Sequence, residues 1–149
     1  MILQSQHKDV SVGFLINQTS RKTINLLMHR FREFDITPEQ WSVLYQLFED
    51  GGITQKELAR RTAKDQPTTA RILDILMKKE LIQKQMSETD RRAFIVSLTE
   101  KGEEIASKTV PIEAETMKEI LAGIEPAEVE RFKEVLEKLS KNIDDIINS

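Results

Sequence analysis

The chain has 149 residues, of which 39% are hydrophobic, 32% charged and 5% aromatic, with no Cys. That length suits one ordinary domain with a real core, and the missing thiols exclude disulfides, thiolate metal sites and cysteine nucleophiles. The formal charge of −3 argues, as a whole-chain average, against a nucleic-acid partner, while few aromatics, 5 Gly and 4 Pro favour helix over strand.

The stretch from Met1 to Val10 has no basic segment followed by an apolar one, so no signal peptide is read. No apolar run approaches the ~20 residues of a membrane span, and a cytoplasmic protein is expected. From about Val10 to Phe34, Phe14, Leu15, Leu26, Leu27, Phe31 and Phe34 recur at helical spacing, which predicts one long amphipathic helix. Thr37-Pro38-Glu39-Gln40 reads as a capping box with Pro at the first helical position. The helix it opens carries Trp41, Leu44, Leu47 and Phe48 and stops at Gly51-Gly52.

A second capping box, Thr54-Gln55-Lys56-Glu57, predicts a short helix to about Thr62. After a polar linker, Ala63 to Gln66, Pro67 begins another helix ending near Glu80, with a buried stripe of Ala70, Leu73, Leu76 and Met77. Two short helices joined by a tight polar turn have the form of a helix-turn-helix. The period then changes: Ile82 to Met86 and Ala93 to Leu98 alternate around Ser-Glu-Thr-Asp-Arg-Arg, which predicts a hairpin. Thr99 reads as an N-cap, followed by helices over about Thr99 to Ala122 and Pro126 to Ile147. Pro111 falls inside the first and predicts a kink or interruption.

Charge is unevenly placed. Residues 1–53 hold 5 basic and 6 acidic side chains, residues 54–101 hold 11 and 7, and residues 102–149 hold 6 and 12. The net +4 block coincides with the helix-turn-helix and hairpin, so a basic face can meet phosphate on an acidic protein. A merely solvated charged surface is the competing reading.

Thr54-Gln-Lys-Glu-Leu-Ala59, Thr68-Thr69-Ala70-Arg71, Asp90-Arg91-Arg92 and Val96-Ser-Leu-Thr-Glu-Lys-Gly102 resemble the MarR family of bacterial winged-helix regulators. The similarity extends over nearly the whole chain. It implies a mainly α fold with a small β-hairpin wing: a winged helix-turn-helix lobe over about 37–98, embedded in a helical dimerisation region of about 1–36 and 99–149. The implied protein is a homodimer that binds a pseudo-palindromic double-stranded operator, more often as a repressor.

Carried across by resemblance, Pro67 to Glu80 is the recognition helix, with Gln66, Pro67, Thr68, Thr69 and Arg71 in its base-facing N-terminal part and Thr54 and Gln55 beside it. Chemically, Gln can pair with adenine, Arg with guanine, and Thr can touch a phosphate or thymine methyl; Thr68 and Thr69 also suit ordinary helix capping. The resemblance places Arg92 in the minor groove, with Asp90 orienting it and Arg91 and Lys84 on phosphates. The competing reading is an exposed tip in which Asp90 pairs locally with Arg91 or Arg92.

The apolar residues of the last two helices, among them Ile105, Val110, Ile120, Leu136 and Ile143, need a covering surface, either a second copy or the first helix of the same chain. Family members bind small aromatic or anionic effectors, and the candidate pocket residues here are Phe14, Ile16, Gln18, Arg21, His29, Trp41 and Tyr45. Phe14 and Trp41 read equally as core, and His29 as a surface histidine. No metal or cofactor site is read, since two separated histidines make none. Gly51-Gly52 is not a phosphate-binding loop and no nucleophile elbow is present, so an enzyme is not expected. The rival function is a winged helix used as a protein-interaction module without DNA binding.

Overall fold

The computed structural model describes residues 10–149, so the reading of Met1 to Asp9 as lacking a leader lies outside the described residues. Ser11 accepts the Phe14 N–H at 3.0 Å and opens α1 (Val12–Phe31), which ends in a 3-10 turn at Arg32–Phe34. The expected single helix to Phe34 is therefore tightened over its last residues, and Asp35 turns the chain at φ 55°. Thr37 and Gln40 form the reciprocal capping box, with N–H···O distances of 3.1 and 3.3 Å, and start α2 (Pro38–Glu49).

A two-residue strand, β1 (Ile53–Thr54), precedes α3 (Gln55–Arg61) and α4 (Gln66–Lys78). The hairpin strands are β2 (Ile82–Met86) and β3 (Phe94–Leu98), followed by α5 (Glu100–Ile120) and α6 (Pro126–Ile147). The sheet is antiparallel with order β1-β3-β2, and its hairpin register runs from Ile82 opposite Leu98 to Met86 opposite Phe94. The expected hairpin is thus two strands of a three-stranded sheet, because Ile53 also pairs with Val96.

Three further expectations are corrected. Thr54 caps α3 by accepting the Glu57 N–H at 3.1 Å, but the Glu57 carboxylate is held by Arg60 and Arg61, so the box is one-sided. The buried stripe of α4 is Thr69, Ile72, Leu73 and Leu76, while Ala70 is half-buried and Met77 exposed. The true N-cap is Asp65, whose carboxylate accepts the Thr68 N–H at 2.7 Å, so the helix begins one residue before Pro67. Finally, α5 runs through Pro111 as one helix, so of the kink or interruption expected there the interruption is absent.

The chain divides into two units, one ending at Glu113 and one from Ala114 to Ser149. The first contains α1, the winged helix and the first part of α5. Its core joins Leu27 and Phe31 of α1 to Val43, Leu44 and Leu47 of α2, Leu58 of α3, Ile72, Leu73 and Leu76 of α4, and Val96 of β3. Burial of side chains of this size contributes roughly 1.5–3 kcal/mol each, and α4 is thereby fixed against the rest of the lobe.

The start of α5 is lashed to the segment between α4 and β2. Thr99 donates its N–H to the Leu81 carbonyl at 3.1 Å and its hydroxyl to the Glu80 carbonyl at 2.6 Å, while Thr99 Oγ1 accepts the Gly102 N–H at 3.1 Å. In the second unit, α6 buries no residue and leaves Phe132, Leu136, Ile143, Ile146 and Ile147 exposed. No helix among the described residues is long and apolar enough to cross a membrane.

Candidate nucleic-acid interface

The N-terminal part of α4 is shaped by two local hydrogen bonds. Asp65 accepts the Thr68 N–H, and Thr69 donates its hydroxyl to the Asp65 carbonyl at 2.8 Å. The Thr68 N–H and the Thr68 side chain hold the Asp65 carboxyl below its ordinary range. Thr69 is 0% exposed, so it serves the helix start and is removed from the candidate contact surface. Gln66 and Pro67 are exposed, and Thr68 is half-buried.

Arg71 is exposed but engaged. Its guanidinium lies 2.7 Å from the Glu39 carboxylate at the start of α2. An ion pair between side chains this accessible is worth at most about 1 kcal/mol, so it orients Arg71 without locking it away from a stronger acceptor.

The wing turn is built by short polar side chains. The Ser87 hydroxyl accepts the N–H groups of Thr89 and Asp90 at 3.3 and 3.2 Å. Asp90 in turn accepts the Arg92 backbone N–H at 2.9 Å. Asp90 therefore shapes the backbone that presents Arg92, and the expected partnership of the two runs through the main chain. Neither Arg91 nor Arg92 forms an ion pair among the described residues, which removes the local-pairing reading of this tip.

These parts converge. A groove of about 540 Å³ is lined by Thr54, Gln55 and Lys56 at the start of α3, Gln66 at the start of α4, and Lys84, Asp90, Arg92, Ala93 and Phe94 of the wing. Six residues singled out in the sequence thus face one concavity, while Pro67, Thr68, Arg71 and Arg91 do not line it. Lys56, Ala93 and Phe94 were overlooked. The signal for Phe94 was available, since pairing Met86 with Phe94 across the hairpin puts both on the face of Lys84 and Val96.

At the end of α3 two cations are committed to carboxylates. Arg60 and Arg61 grip Glu57, and Arg61 also meets Asp50 at 2.6 Å. Hydrogen bonds from Arg60 and then Arg61 hold the Glu57 carboxyl down at about 2. Lys56, Lys84, Arg91 and Arg92 form no ion pair among the described residues, so cations without a carboxylate partner stand in the groove and on the wing tip. Such a surface attracts a polyanion whatever the net charge of the chain.

Of the proposed effector residues only Trp41 and Tyr45 are seen in contact. Phe14, Ile16, Gln18 and Arg21 are exposed along α1, and Phe14 lies about 22 Å from His29 along the helix axis at 1.5 Å per residue. Trp41 stacks between Phe31 and Tyr45, with ring centroids 5.7 and 5.1 Å apart, as part of the packed lobe. His29 instead lines a separate open concavity of about 560 Å³ with Arg30, Arg32, Glu33 and Ile112.

The chain is similar to several known proteins. The MarR family model matches residues 36–94, a span from the start of α2 to the first residue of β3. The crystal structure of transcriptional regulator PA3341 is 30% identical, with a TM-score of 0.82, and the match covers 91% of this chain and 99% of that one. A mutant MarR from E. coli complexed with operator DNA is 26% identical at a TM-score of 0.80, over 86% of this chain and 92% of that one. Bordetella bronchiseptica BpsR, a protein whose DNA binding is regulated by 6-hydroxynicotinic acid, is 25% identical at a TM-score of 0.78, over 87% and 98%.

Proposed function

The chain belongs to the MarR family, and we propose that it is a sequence-specific regulator that binds a pseudo-palindromic double-stranded operator as a homodimer. The observation that carries this reading is the shared groove, where the start of α4 and the wing meet around Lys56, Lys84 and Arg92. The start of α4 supplies Gln66, Thr68 and Arg71 to base edges in the major groove. The wing supplies Arg92 to the minor groove and Arg91 and Lys84 to phosphates. The relative held with operator DNA has this same fold.

The dimer is supported by the apolar side chains left in solvent, Phe14, Leu15 and Ile24 on α1 and Phe132, Leu136 and Ile143 on α6. A two-fold pair would place two recognition helices about one DNA turn, roughly 10 bp, apart. The regulator acts as a repressor, and a small anionic molecule releases it. His29, Arg30 and Arg32, with Glu33 and Ile112, line the second concavity together, which makes it a more compact candidate seat than the residues spread along α1. An effector works only if it binds one arrangement of the two lobes better than the other.

The test is selection of bound genomic fragments by the wild-type chain, followed by titration of Arg92→Ala on a selected duplex. Fragments sharing an inverted repeat, and a clear loss of affinity in Arg92→Ala at moderate salt, are expected. Fragments with no common repeat, or binding only to a protein partner, would turn the reading towards an interaction module.

A further inference from the structure

Phe94 is an apolar ring in a place where the core does not need it. It is 47% exposed, and Met86 opposite it is 60% exposed, although Val96, two residues on and on the same face, is completely buried. What Phe94 does touch is a cation. The Lys84 ammonium lies over its ring at 5.9 Å from the centroid, within the distance at which a ring face attracts a positive charge. Lys84 sits opposite Val96 in the hairpin register, so Phe94 is its diagonal neighbour across the strands. Both line the groove that also holds Lys56 and Arg92.

We propose that Phe94 is a positioning residue for DNA binding, a shelf that holds Lys84 extended into the groove so that its ammonium meets a backbone phosphate. The role rests on the DNA-binding reading above. A lysine has four rotatable carbons and loses much of its rotamer freedom when it is fixed on a phosphate. A ring that already restricts the side chain in the free protein removes part of that loss from the binding step. The ring face takes one side of the ammonium and leaves its other N–H donors for phosphate oxygens. Lys56 and Arg92 set the positive field, and Phe94 sets where one of its charges stands.

The experiment measures affinity for an A·T-rich duplex, long enough for two half-sites, as a function of salt. Phe94→Leu keeps an apolar side chain but removes the π face, and should weaken binding about two- to five-fold, the range of a partly exposed cation–π contact. Its salt slope should be unchanged, whereas Lys84→Met should lower the slope by about 0.9 per lobe. Phe94→Tyr should bind as the wild type does, and Phe94→Leu should have no further effect in a Lys84→Met background. In the free protein, the ring-current displacement of the Lys84 ε-methylene protons should vanish in Phe94→Leu.

Unchanged affinity in Phe94→Leu, or the same loss in both backgrounds, would overturn the positioning role while leaving DNA binding in place. A wild-type Lys84 resonance without any ring-current displacement would overturn it independently of DNA. Failure of the wild type to bind any duplex would overturn the DNA-binding reading and this role together.

Discussion

Replacing Gly102 by Ala should destabilise the protein, although the position lies in a helix where Ala is normally the better residue. A Cβ built on Gly102 would stand 1.9 Å from the Leu81 carbonyl oxygen and 2.9 Å from its carbon, where ordinary contact begins at 3.4 Å. The obstacle is backbone, and that backbone is held, because Leu81 O accepts the Thr99 N–H and Glu80 O accepts the Thr99 hydroxyl. Forcing the two segments apart costs about 1–3 kcal/mol by analogy with overpacked cores. Weakening the Thr99 to Leu81 bond adds about 1 kcal/mol, and the higher helix propensity of Ala returns about 1 kcal/mol. The net is a loss of roughly 1–3 kcal/mol, read in urea as a midpoint lowered by roughly 0.5–1.5 M with the slope unchanged. A Gly102→Ala variant as stable as the wild type, or more so, would refute the close approach of α5 to Leu81.

Thr37→Ala removes the side-chain half of the capping box on α2 and should cost about 1 kcal/mol in the same assay; no change would mean the box contributes nothing. Glu57 has a folded-state pKa near 2, against an ordinary 4.5. Its contribution to stability is therefore present above the unfolded value and is lost as pH falls from 4.5 towards 2. Glu57→Gln should flatten the acid limb of the stability–pH curve in that window, and an unaltered limb would contradict the Arg60–Glu57–Arg61 grip. Ile143→Asp together with Ile146→Asp on α6 should shift sedimentation from dimer to monomer at micromolar concentration, with unchanged helix content; a wild type that sediments only as monomer would refute the dimer.

Much of the fold was legible wherever a local signal was complete. Thr37-Pro38-Glu39-Gln40 contains both partners of its cap, and Pro126 marks the start of α6. The hairpin strands were visible because alternation over Ile82–Met86 and Phe94–Leu98 needs only a period of two. β1 escaped notice because two residues carry no period, and Ile53–Thr54 is a strand only through its pairing with β3. The α4 stripe was read correctly at Leu73 and Leu76 and missed Thr69 and Ile72 beside them, because Thr69 is polar and buried only as the helix packs.

The candidate site could be read from the sequence where it is sequential, at the start of α4 and at the wing tip. It was less legible where folding decides. Thr69 looks like a surface hydroxyl until the α4 register turns it inward, and Phe94 gains a partner only through the hairpin register. The expected effector residues show the same limit, since similar chemistry along α1 says nothing of convergence within one chain when Phe14 and His29 are about four helical turns apart.

The most direct test of the account is the dependence of duplex affinity on salt, comparing the wild type with a variant carrying Lys84→Met, Arg91→Met and Arg92→Met. Each phosphate neutralised releases counterions worth about 0.9 in the slope of log affinity against log salt. The wild type should bind with a steep negative slope, and the variant's slope should be shallower by up to about 3 per lobe. A wild-type affinity indifferent to salt, or a variant with an unaltered slope, would contradict the assignment of this groove and wing to DNA.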